Sequence, residues 1–362
     1  METSIIGVRK EDLDTPALLV ELDRMERNIS RVARFFGDLG VQWRPHSKGH
    51  KSPAVAHRQL AAGAVGITCA KLGEAEVMAA AGVKGIMIAN QVVGEIKLRR
   101  LAALARGWPV IVSVDSEDNA RQMARMARDT GAAIGVVVEV DTGSQRAGVQ
   151  PGAPAVQLSR TVDQLEGLRY LGVMGWEGHV RKLLEPGPRK EATEKAVGLL
   201  VETARLARKE GLEVEIVSCG GTGTEEYSSR VPGVTENQSG GIIFNDVFYS
   251  NLGIDTEVAL TVISSVTSRP DPARVITDAG KKTLSTDTAQ PRPIGMDPVG
   301  LRFSAEHGVI DLQEASDLAV GDRVEWMVGY GDTTVNLHDE MYGLREGRVE
   351  CVWPVSARGR IR

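Results

Sequence analysis

The chain has 362 residues, enough for one large domain with a smaller companion or for two medium domains. Its formal net charge of −5 is spread without long blocks of one sign, which excludes a nucleic-acid footprint and a polybasic membrane patch. Three well-separated cysteines, Cys69, Cys219 and Cys351, fit neither a disulfide framework nor a zinc spacing; with no apolar leader and no membrane-length apolar run, a cytoplasmic protein is expected.

In chain order, an early strand "TPALLVEL" precedes an amphipathic helix that carries Met25, Ile29, Val32, Phe36 and Leu39 at helical spacing and stops at Gly40. From about residue 23, helix and strand then alternate. The strands read "VQWRP", "AVGITCA", "GIMIAN", "PVIVSVDS", "AIGVVVEVDTG", "LRYLGVMGWEGH" and "EVEIVSCGG", with a weaker eighth unit near "TENQSGGIIFNDVFYSNLG". Near-continuous apolar strands between helices predict a parallel sheet buried on both faces. Eight such units predict an α/β fold, a (β/α)8 TIM-type barrel over residues 23–254, with an open doubly wound sheet as the alternative. After residue 255 the texture changes to strands such as "EVALTVISSVTSRP", "DRVEWMVGYG" and "RVECVWPVSARGR". These predict an additional C-terminal β domain, residues 255–362 joined by 1–22.

Barrel chemistry sits at the C-terminal ends of the strands. Here those ends are polar: "RPHSK", "TCAKLGE", "ANQ", "EVDTGSQRAG", "WEGH", "SCGGTGT" and "NQSGG", whereas the opposite turns are plain "AAG", "RG" or "EG". The asymmetry predicts an enzyme. The glycine stretches Gly220–Thr224 and Gly240–Gly241 end strands seven and eight, where barrels often bind phosphate on backbone N–H groups. Thr222 and Thr224 add hydroxyl donors there. Phosphate binding together with a lysine on strand one suggests pyridoxal 5′-phosphate, whose aldehyde a lysine amine must hold. Lys48 is favoured because it follows a strand end, and Arg44 and His46 beside it set the local charge; Lys51 and Lys71 are the rivals. A lysine-dependent aldolase without the cofactor is a further barrel solution, but it leaves the β domain without a role.

The chain resembles the D-threonine aldolase and D-serine dehydratase family, which shares the alanine racemase-type fold. The resemblance runs over nearly the whole chain, through "TPALLVELDRMERNI", "RPHSKGHK", "AKLGEAE", "VEVDTGSQRAGV", "GWEGH", "CGGTGT", "TDAGKKTLSTD", "SAEHG", "TTVNLHD" and "WPVSARGR". It implies a dimer that takes pyridoxal phosphate and a small amino-acid substrate. By motif match it puts the cofactor aldehyde on Lys48, a pyridine-facing arginine at Arg146, phosphate contacts at Gly221, Thr222, Gly240 and Gly241, and a histidine near the cofactor at His179. The plain alternatives are an ion-pair role for Arg146 and a satisfied core histidine at His179. An arginine at the pyridine cannot give up its proton, so the electron sink is weaker than with a carboxylate partner.

Three positions depart from the family pattern. The aromatic before "xGH" is Trp176 rather than tyrosine, and the second phosphate stretch reads Gly-Gly-Ile rather than Gly-Ser-Tyr. Most seriously, the family's divalent-metal histidine, two residues before an aspartate or cysteine, is Tyr330 here, while Asp332 is kept. A neutral phenol is a poor ligand, so a manganese or magnesium ion at Asp332 lacks its usual partner unless His307 or His338 supplies one. Without the metal, Tyr330, His179 or water must act on the substrate hydroxyl. The expected activity is a lyase cleaving D-β-hydroxy amino acids to glycine and an aldehyde. A dehydratase and a racemase with Tyr330 as second base are the alternatives, and a cofactor carrier is disfavoured by the β domain.

Overall fold

The computed structural model describes residues 5–362; residues 1–4, expected in the β domain, lie outside the described residues. Two compact units are present: one comprises the described residues up to Ser30 with Gly49–Ser52 and Gly241–Arg358, the other Arg31–Lys48, Pro53–Gly240 and Gly359–Arg362.

The second unit holds the eight parallel strands. They are β1 (Gln42–Trp43), β2 (Ile67–Cys69), β3 (Ile86–Gln91), β4 (Val110–Val114), β5 (Ile134–Glu139), β6 (Leu168–Met174), β7 (Ile216–Cys219) and β8 (Glu236–Asn237). Hydrogen bonding runs β1-β8-β7-β6-β5-β4-β3-β2. The ring closes just beyond β1. His46 forms a parallel bridge to Thr68 of β2, the Thr68 N–H donates to the Pro45 carbonyl at 2.9 Å, and its hydroxyl donates to the Arg44 carbonyl at 2.9 Å. The sheet is therefore a barrel and not the open alternative. Strand composition explains the burial: Val136, Val137 and Val138 of β5 are all solvent-inaccessible, as a strand covered on both faces requires. The helix Glu117–Thr130 between β4 and β5 starts where the Ser116 side chain accepts the Asn119 N–H and stops at Gly131, φ +66°.

The β1–β8 junction beside that closure carries a buried ion pair. The Arg44 guanidinium meets Glu236 of β8 at 2.7 Å, with side chains 7% and 0% exposed. The other carboxylate oxygen accepts from the Ser218 hydroxyl of β7 at 2.8 Å. Arg44 was expected to set the charge around Lys48; instead its charge is matched by Glu236.

The first unit is a mainly antiparallel sheet. Its later strands are β9 (Leu260–Asp271), β10 (Arg274–Thr277), β11 (Arg292–Pro293), β12 (Gly300–Phe303), β13 (Gly308–Asp311), β14 (Arg323–Met327), β15 (Glu340–Arg345) and β16 (Arg348–Pro354). The early strand Ala17–Glu21 lies between β9, antiparallel, and β15, parallel, so "TPALLVEL" does join this sheet. Alternating burial in β14, with Val324 and Trp326 inward, is the two-residue period of a sheet packed on one face.

Candidate active site

Lys48 sits in a 3-10 turn, Ser47–Gly49, immediately after the barrel closure. The turn is anchored from below by a buried acid. The Ser47 hydroxyl donates to Glu74 at 2.6 Å, and the other Glu74 oxygen accepts the Ala70 N–H at 3.1 Å. The Lys48 amine lies 5.4 Å from the centroid of the Trp176 ring. Its rivals are elsewhere. Lys71 is exposed at the N-cap of helix Leu72–Ala80, and Lys51 is a buried residue at φ +49° whose carbonyl accepts the Ala357 N–H.

Trp176, just past β6, organises this end of the barrel. Besides Lys48, the guanidinium of Arg146 lies 4.6 Å from its ring centroid and that of Arg181 lies 5.1 Å from it. An indole face attracts cations through its quadrupole. The ring can fold back because residue 178 is glycine: a Cβ there would lie 2.2 Å from Cη2 of Trp176. Arg146 also has an acid, Glu139 at the end of β5, 3.6 Å away. Glu139 accepts from the Gln91 side chain at 2.6 Å. Burial pushes the Glu139 carboxyl above its ordinary range, opposed by Gln91 and the charge of Arg146. Arg146 is thus both an ion-pair residue and a cation on the tryptophan face.

His179 follows in the 3-10 turn Gly178–Lys182. Its Nδ1 is buried and makes no hydrogen bond within the protein, so it is not a satisfied core histidine. Its ring packs on Gly143, where a Cβ would lie 3.2 Å from Nε2.

The glycine stretch after β7 is braced from inside. Glu177, fully buried, accepts the Gly220 N–H at 3.2 Å and the Thr224 hydroxyl at 2.6 Å. Glu225 accepts the Gly223 N–H at 2.6 Å. Thr224 was expected as a phosphate donor; its hydroxyl is committed to Glu177 instead. The Gly221 N–H has a long bond, 3.3 Å, to Thr224, and a Cβ on Gly221 would lie 3.0 Å from Nε1 of Trp176. Gly240 is needed for chain packing: a Cβ there would meet the His46 carbonyl oxygen at 2.2 Å. Gly241 opens the 3-10 turn Gly241–Ile243 against Tyr249.

In the other unit, Tyr330 is the N-cap residue of helix Gly331–Val335. Its hydroxyl donates to Asp332 at 2.9 Å. Neither histidine weighed as a replacement ligand supplies one. His338 bonds the Thr283 carbonyl at 2.9 Å, His307 lies in the exposed turn from Ser304, and among the described residues no group of three His, Cys, Asp or Glu side chains gathers to hold a metal.

The alanine racemase N-terminal domain model matches residues 20–244, and the putative serine dehydratase domain model matches residues 259–344. A D-threonine aldolase from Arthrobacter sp is 36% identical over 97% of this chain and 94% of its own length. The chain belongs to the D-threonine aldolase and D-serine dehydratase family. A second member of the family, a 3-hydroxy-D-aspartate aldolase of Paracoccus denitrificans, is 34% identical over 98% of this chain and 94% of its own. The solved D-threonine aldolase of Filomicrobium marinum superposes with a TM-score of 0.96 at 37% identity, covering 99% of this chain and 100% of that one. Within this family member, sequence reasoning missed Glu139, Glu177, Arg181 and Glu225. Glu177 and Arg181 flank the quoted His179 motif, so their nearness to Trp176 was the available signal; nothing local marks Glu225 as the brace of a loop.

Proposed function

We infer that the chain is a pyridoxal phosphate-dependent lyase that cleaves D-β-hydroxy amino acids to glycine and an aldehyde. The observation that carries this reading is the convergence of the Lys48 amine and Arg146 on the Trp176 ring in a chain similar over nearly its full length to two aldolases. The residues present fit the cofactor: a lysine just past the first barrel strand, a guanidinium on the same tryptophan ring, and a buried histidine nitrogen left without a partner by the protein itself. Lys48 would hold the aldehyde, Arg146 the pyridine nitrogen, Trp176 the ring, and Gly221, Thr222, Gly240 and Gly241 the phosphate. When bound, pyridoxal phosphate supplies the carbonyl that captures the substrate amine and the electron sink for the bond broken at the α-carbon.

The chain's own groups handle the protons. His179 accepts the β-hydroxyl proton as the aldehyde departs, a task for which a nitrogen not already engaged is suited. The Lys48 amine returns a proton to the α-carbon of the nascent glycine. Arg146 cannot release a proton at working pH, which keeps charge on the α-carbon short-lived and disfavours the side reactions of a long-lived carbanion. Tyr330, weighed from the sequence as a catalytic group, departs from the family motif and holds Asp332 through its hydroxyl. Asp332 is the remaining half of the family's metal pair, and the residues around it do not fit a manganese or magnesium ion.

The division into a cofactor barrel, 23–254, and a β domain, 1–22 plus 255–362, is supported by the limits of the two family models. No described helix is long and apolar enough to cross a membrane; we propose a cytoplasmic homodimer that acts on a small amino acid and binds neither nucleic acid nor membrane. The dehydratase reading is supported by the serine dehydratase domain match and by similarity to a D-threo-3-hydroxyaspartate dehydratase of Delftia sp, 36% identical over 77% of this chain. It requires departure of the β-hydroxyl, the step most helped by a metal. A racemase needs a second base. Product analysis decides among them. Purified protein incubated with D-threonine, with and without added manganese, is expected to release glycine and acetaldehyde. 2-Oxobutyrate would instead establish the dehydratase and L-threonine the racemase, and either would overturn the lyase.

A further inference from the structure

The position that carries the family's metal histidine is occupied here by Tyr330, and one compact unit shows the consequence. The Tyr330 ring meets Phe248 and Tyr249 edge-on, at 5.6 and 5.8 Å between centroids. Two aromatic neighbours fix its orientation, and the hydroxyl then donates to Oδ2 of Asp332 at 2.9 Å. Oδ1 of Asp332 faces the Gly49 backbone, where a Cβ would lie 3.0 Å away. The neighbouring acid, Asp246, is committed as well: Oδ1 accepts the Tyr249 N–H and Oδ2 the Gly331 N–H, each at 2.8 Å. A hard divalent cation needs several anionic or carbonyl oxygens, or an imidazole, directed at one point. This cluster directs a neutral O–H at the carboxylate that the cation would use.

We propose that the Tyr330–Asp332 pair has replaced the divalent-metal centre with a phenol–carboxylate hydrogen bond, and that one substitution, Tyr330→His, converts it back into a cation site. The inference rests on the family reading only for what the position would otherwise hold. Tyr330 acts here as a positioning residue for Asp332, and its replacement by histidine removes that O–H donor and puts an imidazole two residues from the carboxylate.

The test is manganese titration of the cofactor-loaded enzyme, followed by the electron paramagnetic resonance signal of free Mn2+. The wild type is expected to leave that signal intact. Tyr330→His is expected to remove about one equivalent, as a histidine and an aspartate two residues apart allow, and adding Asp332→Asn to it should restore the signal. Uptake by the wild type that Asp332→Asn abolishes would overturn the proposal, as would a Tyr330→His protein that binds no manganese while keeping its circular dichroism and cofactor absorbance. If that variant does not fold, the wild type and Asp332→Asn alone still decide. Glycine release by chelator-dialysed wild type separates the two readings. Activity lost on dialysis and regained with manganese overturns this inference, whereas absence of glycine under both conditions counts against the lyase alone and leaves the titration to decide the metal.

Discussion

Gly178 illustrates control at the scale of one residue. Its missing Cβ is the space that the Trp176 ring occupies, and that ring carries Lys48, Arg146 and Arg181. Gly178→Ala must displace the indole, and with it the cations on its faces. We expect a fall in kcat/KM of about 100-fold, the scale of an ångström-level misplacement of reacting groups, while Gly187→Ala, with nothing within 4 Å of the added carbon, leaves kcat/KM unchanged in the same assay. Lys48→Ala is expected to abolish the visible absorption of the bound cofactor; a spectrum that persists would assign the aldehyde to another lysine. The grouping of Lys48 and Arg146 with Trp176 was foreshadowed at this scale, because each lies within a motif at a strand end. Arg181 was not, because its relation to the ring depends on a 3-10 turn that brings residues 176 and 181 onto one another.

At the scale of elements, the barrel seam is the part that sequence patterning could not reach. β1 and β8 are each two residues long, too short for periodicity to register. They pair directly, Gln42 with Glu236 and Trp43 with Asn237, and Arg44 with Glu236 and Glu236 with Ser218 tie them further, while the His46–Thr68 bridge joins β1 onward to β2. Removing one partner of a buried pair leaves the other charge uncompensated. Arg44→Met is therefore expected to cost about 3–5 kcal/mol in urea denaturation, and the double variant with Glu236→Gln should recover part of that loss. If the double variant is no more stable than the single one, the pair is not what holds the seam. The six other barrel strands and the early strand of the β sheet were legible because their burial follows from composition alone.

For the whole molecule, charge states add to these local terms. Burial pushes the Glu225 carboxyl up to about 7, opposed by its backbone hydrogen bonds, including the one from Gly223, and by the charge of Arg189, with Glu226 adding to the rise. The folded protein then holds a proton that the unfolded chain has released above the ordinary glutamate value of 4.5. This group's contribution is fully present below that value and is lost as pH rises to about 7. Glu225→Gln stays neutral and keeps an acceptor for Gly223, so its urea midpoint should change less between about pH 5 and about pH 8 than that of the wild type. Equal changes in the two proteins would show that Glu225 titrates normally. The proposed homodimer is checked by sedimentation, where the expected species has twice the chain mass and a single-chain species would remove dimerisation from the description.

By itself, the sequence indicated the layer architecture, the strand ends at which chemistry is expected and a lysine there, with the arginine proposed for the cofactor coming from the family resemblance. All but the arginine follow from local properties: apolar period, glycine at tight turns, and polar residues at strand ends. Tertiary structure alone decided that the sheet closes, that Arg44 spends its charge on Glu236, that Thr224 serves Glu177, and that Tyr330 donates to Asp332. Each of those is a pairing between groups whose partners are chosen by the fold. A residue's type says what it can donate or accept, and only packing says to whom.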